Sequence, residues 1–187
     1  MSAAGKNRVD VVRCLLDNGA KIDTKNKGGL TALHRASQDA HIDVVKLLLD
    51  RGANVHALAN DGRTVLHSVA NNNHADIAAL LISRGAIISA ADLNGWTPLH
   101  CAACKYKNKQ NKTKKTKNKN KNKKDLLSFY CAFVLSIDHG HILVATVLLK
   151  NGANVNSRTN AGNTTLWIAK ENGRARMVEL LKANGAK

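Results

Sequence analysis

Residues 31–55 read TALHRASQDAHIDVVKLLLDRGANV, and the fold is decided by this stretch. Thr31 opens it as a helix N-cap whose hydroxyl can accept a free backbone N–H. Leu33 and Ala36 share the inner side of a short helix. Val44, Val45, Leu48 and Leu49 form the apolar face of a second helix, and Gly52 ends that helix as a left-handed C-cap. Such a unit cannot bury its own apolar face, so it needs a neighbour of the same kind.

Neighbours follow at a fixed step. The Gly-Ala pairs after each Leu-rich stretch start at Gly19, Gly52, Gly85, Gly152 and Gly185, with spacings of 33, 33, 67 and 33. The turn glycines Gly29, Gly62, Gly95 and Gly162 repeat the spacings 33, 33 and 67. The period is therefore 33, with 34 extra residues inside one repeat. Asp61-Gly62 and Asn94-Gly95 are hairpin-turn dipeptides, because these residues tolerate positive φ. Thr64, Thr97 and Thr164 repeat the N-cap role of Thr31, and Pro98 takes the first helical position, where a missing N–H costs little. Small Ala residues in the first helices let successive units approach closely.

The segments TALH (31–34), TVLH (64–67) and TPLH (97–100), with LLLDRGANV (47–55) and VLLKNGANV (147–155), resemble the ankyrin-repeat signature. The resemblance covers about 154 residues, all but roughly 105–137. It implies a β-turn, an antiparallel helix pair and a loop per repeat, stacked into an all-α solenoid. It gives Thr31, His34, Thr64, His67, Thr97, Pro98 and His100 a structural role, the imidazoles hydrogen-bonding near the turns of adjacent units. The expected organisation is a partial repeat over 1–25, repeats over 26–58 and 59–91, an interrupted repeat over 92–158, and a capping repeat over 159–187.

The two ends differ from the middle. Lys170, Glu171, Arg174, Arg176 and Lys182 make the last helices polar, as a cap requires. The first unit begins mid-repeat at Ala3-Ala4, so Val9, Val11, Val12, Leu15 and Leu16 lack a preceding neighbour; the start is either truncated or frayed. In the last unit Trp167 stands in the His position and Thr165 in that of Pro98.

The chain has 187 residues and a net charge of +16, a value that points towards nucleic acid or an anionic membrane. The charge is local, however. Residues 105–124 read KYKNKQNKTKKTKNKNKNKK and hold eleven Lys without an acid, which leaves +5 for the other 167 residues. Tyr106, Phe129, Tyr130 and Phe133 are also in this region, so the core elsewhere must be aliphatic. Two readings of the insert 105–137 compete. As protein it is a disordered lysine loop followed by a short apolar run, suited to a localisation signal or a phosphate-binding arm. As gene structure it is a translated intron. Lys and Asn codons are A-rich, and those of the following residues are T- or pyrimidine-rich. Cys104-Lys105-Tyr106 can be encoded with a splice-donor sequence and Ile137-Asp138 with an acceptor AG, and excision removes 34 codons, the excess the two rulers report.

No apolar run reaches the roughly 20 residues needed to span a bilayer, since the longest, Leu126 to Ile137, is too short and holds Ser128 and Ser136. The beginning MSAAGKNRVD lacks the apolar stretch of a signal peptide. The expectation is a cytoplasmic or nuclear protein with reduced thiols, no membrane partner and a monomeric state.

Cys101-Ala-Ala-Cys104, with Cys131, His139 and His141, invites a zinc reading, but Cys101 occupies a variable helix position, and a redox pair needs a strand-to-helix context. The expectation is no metal and no cofactor. There is no P-loop, no G-x-G-x-x-G and no triad on one surface, so no enzyme and no small-molecule substrate are expected. Binding remains, with an unknown protein as the partner, or nucleic acid if the lysine insert is real. Comparing units isolates the variable positions that would carry it. They are Leu30, Arg63, Trp96 and Asn163 before the N-caps, Lys27, Asp61 and Asn94 at the tips, and Arg35, Gln38, Ser68, Asn71 and Cys101 on the first helices. Trp96 is foremost, because Trp is enriched at interface hot spots.

Overall fold

A computed structural model describes residues 1–104 and 141–187. The lysine insert, with its reading as a nucleic-acid arm or a translated intron, lies outside the described residues, as do Cys131 and His139. The described chain starts with a 3-10 turn at Ala4–Lys6, then α1 (Val9–Asp17), α2 (Ala32–Gln38), α3 (Ile42–Asp50), α4 (Val65–Asn72), α5 (Ala75–Ser83) and α6 (Pro98–Ala103). Helix α7 covers residues 141–150, and α8 (Thr165–Glu171) and α9 (Ala175–Ala183) complete it. Among the described residues extended pairing is confined to two isolated bridges, Leu58 with Thr64 and Arg158 with Thr164. No helix among them is long and apolar enough to cross a membrane.

Each unit is a helical hairpin, and the first helices stack α2 on α4 on α6 on α8. Their inner positions Ala36, Val69, Ala102 and Ala169 are fully buried, as small and β-branched side chains there permit close approach. In the second helices the pairs Val44/Leu48, Ile77/Leu81, Val144/Leu148 and Met177/Leu181 are sealed between units. Each such Leu contributes roughly 1.5–3 kcal/mol on burial. The core is one continuous aliphatic cluster running the length of the stack.

Gly52 (φ +83°) shows how a unit is closed. Its N–H donates to Leu49 O at 3.0 Å, and the Ala53 N–H to Leu48 O at 2.9 Å, the Schellman arrangement that satisfies the last helical carbonyls. The same two bonds recur at Gly19-Ala20, Gly85-Ala86, Gly152-Ala153 and Gly185-Ala186.

The first unit departs from the rest, as a 3-10 turn packed on α2 stands where a first helix would be. Val11 and Leu15, equivalent to the sealed Val44 and Leu48, are 48% and 49% exposed. Val12 is a correction to the expected bare face: it is buried, because its side of α1 turns into the core.

Candidate functional site

Thr31, Thr64 and Thr97 start α2, α4 and α6 in extended backbone conformation, and each forms a capping box with the His three residues on. Nδ1 of His34, His67 and His100 accepts the Thr backbone N–H at 3.2, 3.1 and 3.1 Å. A lone pair engaged in this way leaves the proton on Nε2. His67 Nε2 then donates to Trp96 O at 2.8 Å in the following unit, and His100 Nε2 to Ser157 O at 3.1 Å, at the end of its own interrupted repeat. The Arg63 carbonyl faces His34 Nε2, at a geometry too loose for a hydrogen bond. His67 thus clamps its helix start to the next turn, and His100 clamps its own to the chain entering the last unit.

Burial holds all three imidazoles below the usual histidine range, against weaker opposing contributions from the facing carbonyls. Their folded pKa lies under the unfolded one, so the unfolded chain binds more protons as the solution acidifies. Stability from the row is present in full above about pH 6.5 and is lost as pH falls through the folded values. Each group then contributes a slope of up to about 1.4 kcal/mol per pH unit inside that window. Urea midpoints at pH 7.5 and pH 5.5 measure this; equal midpoints would contradict it.

The turn tips form a second ladder. Asn60 N donates to Gly28 O (3.0 Å), Leu93 N to Asp61 O (3.1 Å) and Asn160 N to Asn94 O (3.0 Å). Asn60 and Asn160 side chains add bonds to Lys27 O and Leu93 O. With their backbones fixed, tip side chains project from a rigid edge. Lys27, Asp61 and Asn94 are exposed, and Leu30, Arg63, Trp96 and Asn163 are half-buried behind them. On the first helices Arg35 is exposed and paired with Asp39 at 2.9 Å. Gln38, Ser68 and Asn71 are half-buried, and the Gln38 and Asn71 carbonyls accept from His74 and His141.

Cys101 is the correction in this set. It is 3% exposed, since α6 is enclosed where Arg35 and Ser68 face outward in their units, and burial pushes its thiol up to about 12. It is therefore not a surface contact, and a thiol so protonated is a poor nucleophile or ligand. Among the described residues no group of three or more His, Cys, Asp or Glu is placed to hold a metal.

Trp96 serves two surfaces. Its ring lies 6.1 Å from the His100 ring at 57°, while part of it remains open to solvent. The backbone N–H groups of Trp96 and Asn94 both donate to Asp92 Oδ1 at 2.9 Å. Asp92 Oδ2 takes Arg63 Nε at 3.2 Å, and Asp61 stands 3.6 Å from the same nitrogen. The fully buried Asp92 carboxylate thereby fixes the turn and aims Arg63.

Three features escaped the sequence comparison. Leu93, 70% exposed at a tip, is the most exposed large apolar residue described. Asp92 was overlooked, though Asn26 and Thr159 at the same register also supply side-chain acceptors to their turns. The third is a ruler, His41, His74, His141 and Arg174, spaced 33, 67 and 33. His74 reaches Gln38 O, His141 reaches Asn71 O and Arg174 reaches Cys104 O, each tying a second helix to the preceding first helix. The stack is in register again at residue 141.

Residues 1–59 and 51–113 match a family model described as Ankyrin repeats (3 copies), and residues 129–160 match one described as Ankyrin repeat. A search among curated proteins finds no match.

Proposed function

The chain belongs to the ankyrin-repeat family, and from that premise we propose that it is a non-catalytic module binding a protein partner through its tips and first-helix surface. Ankyrin repeats are generally protein–protein interaction modules. The observation that supports this surface is the contrast at one register. The Thr and His of the units opening at Thr31, Thr64 and Thr97 are repeated and buried, while the tip residues beside them differ from unit to unit and are exposed or half-buried. At the centre Trp96 and Arg63 offer an aromatic face and an oriented cation, residue types enriched at interface hot spots, beside the exposed apolar Leu93.

The partner is read as protein, with no small-molecule substrate, and the module as a monomer in the cytoplasm or nucleus. A photo-crosslinker at position 94 tests the surface. Leu93→Glu and Trp96→Ala are expected to weaken capture of the same crosslinked protein by about tenfold or more, the scale of a hot spot, with unchanged circular dichroism. Full capture by both folded variants would remove the tips from the site. A second reading, nucleic-acid binding, is supported by the eleven lysines of residues 105–124. It requires affinity that falls steeply with salt and vanishes when 105–124 is deleted. If the segment is a translated intron, messenger lacking its 34 codons will be found; abundant full-length messenger alone would refute that origin.

A further inference from the structure

The outward face of the last described unit carries a different chemistry from every internal junction. Where first helices pack on one another, the residues facing the next unit are buried His34, His67 and His100, and buried Ser37, Ala70 and Ala103. In α8 those two positions hold Trp167, 47% exposed, and Lys170, also exposed. A unit stacked there as at the internal junctions would bury the Lys170 ammonium, which is costly without a partner. The chemistry of this face therefore differs from that of the internal junctions.

Trp167 and Lys170, with Thr164, Leu166, Arg158 and Lys187, line a pocket of about 310 Å³. Three of the eight residues that line it are cationic and none has an acidic side chain. The charge is regional: residues 141–187 hold seven Lys and Arg against two Glu, whereas residues 1–104 hold eleven against nine Asp. The ion pairs among the described residues join Asp17, Asp39, Asp50, Asp61 and Asp92 to arginines of the first 104 residues, and none takes Lys170 or Lys187. The opposite end of the stack has a pocket lined by Lys6 and by Arg35, which is paired with Asp39, so head-to-tail pairing of two copies would set Lys6 against cations and bring no acidic side chain from that pocket's lining. Tight nucleic-acid binding draws on roughly 6–10 phosphate contacts along a track, more than three cations around one indole supply.

We infer that this pocket is a docking site for an acidic protein segment carrying an apolar side chain. Its carboxylates pair with Arg158, Lys170 and Lys187, and its apolar group lies on Trp167. The pocket adjoins the last turn, since Gly162 and Asn163 also line it, but its cations and indole are distinct from Leu93, Trp96 and Arg63 at the central tips.

The two indole N–H signals of the 15N-labelled full chain, assigned with Trp167→Phe, test the inference. The probe is the peptide Glu-Glu-Leu-Glu-Glu-Phe-Glu-Glu, and its control has every Glu replaced by Gln. The acidic peptide is expected to move the Trp167 signal saturably, to leave Trp96 in place and to lose affinity as salt rises. Lys170→Glu with Lys187→Glu, both at exposed positions, is expected to weaken it by about tenfold or more. The inference is overturned if the Gln peptide binds as well or the double reversal leaves affinity within about twofold. It is equally overturned if the peptide binds without moving Trp167, as it would on the lysine insert, or if oligothymidylate moves Trp167 at lower concentration than the peptide. Movement of Trp96 with Trp167 still would place the peptide on the tip row and overturn it too.

Discussion

His67→Ala is expected to destabilise the chain by about 3–5 kcal/mol. The imidazole is fully buried and bonded at both ends, to Thr64 N–H at 3.1 Å and to Trp96 O at 2.8 Å. Its removal strands one buried donor and one buried acceptor, at about 1–3 kcal/mol each, and leaves a void that the surrounding stack closes only in part. The damage falls between two units, so a stack whose stability is a sum of nearest-neighbour terms should lose cooperativity as well. Urea unfolding followed by circular dichroism should show a lower midpoint and a broader transition. His67→Gln should recover part of the loss, because an N3 Gln can still accept the N-cap N–H but has no imidazole to span the gap to Trp96 O. The acid sensitivity should also shrink in His67→Ala, since one depressed imidazole is gone. A midpoint within about 1 kcal/mol of wild type would mean that water replaces both bonds at no net cost.

Gly95→Ala is expected to cost about 3 kcal/mol or more, and Gly52→Ala only about 1–2 kcal/mol. Both glycines have positive φ, +75° and +83°, where a Cβ costs roughly 1–2 kcal/mol. They differ in what that Cβ would meet. At Gly52 nothing lies within 4 Å. At Gly95 it would overlap Asn160 Oδ1 and lie 2.6 Å from the Asn160 backbone nitrogen. That nitrogen makes the 3.0 Å ladder bond to Asn94 O, and the Asn160 side chain bonds Leu93 O at 3.0 Å. Relieving the overlap therefore breaks the tip ladder between the third and fourth turns. Comparison of the two variants by chemical denaturation isolates the inter-unit part, and faster amide hydrogen exchange at Asn160 N–H in Gly95→Ala would locate it. Equal destabilisation of the two would show that backbone strain alone sets the cost.

The contrast between these glycines marks where sequence reasoning stops. Both are recognisable as turn residues from spacing, yet only the position of Asn160, 65 residues away in the chain, separates them. The same holds for the surface. Leu30, Arg63, Trp96 and Asn163 could be found because one register varies against a constant background. Cys101 was grouped with Arg35 and Ser68 by register, but its exposure is set by what packs over α6. Leu93 and Asp92 lie one residue apart, and nothing local in them tells that one is 70% exposed and the other has a buried carboxylate.

By itself the sequence determined the 33-residue period, the order of turn, short helix and longer helix, and the positions of caps and apolar faces. These depend on interactions within a few residues, and the repetition writes them several times over. Only the tertiary structure decided which imidazole reaches which carbonyl, where Arg63 is aimed, which variable positions face outward, and that the last unit presents Trp167 and Lys170 around an open pocket. The imidazole and Arg63 contacts depend on a neighbour at least 29 residues away along the chain, and solvent exposure is a property of the stack.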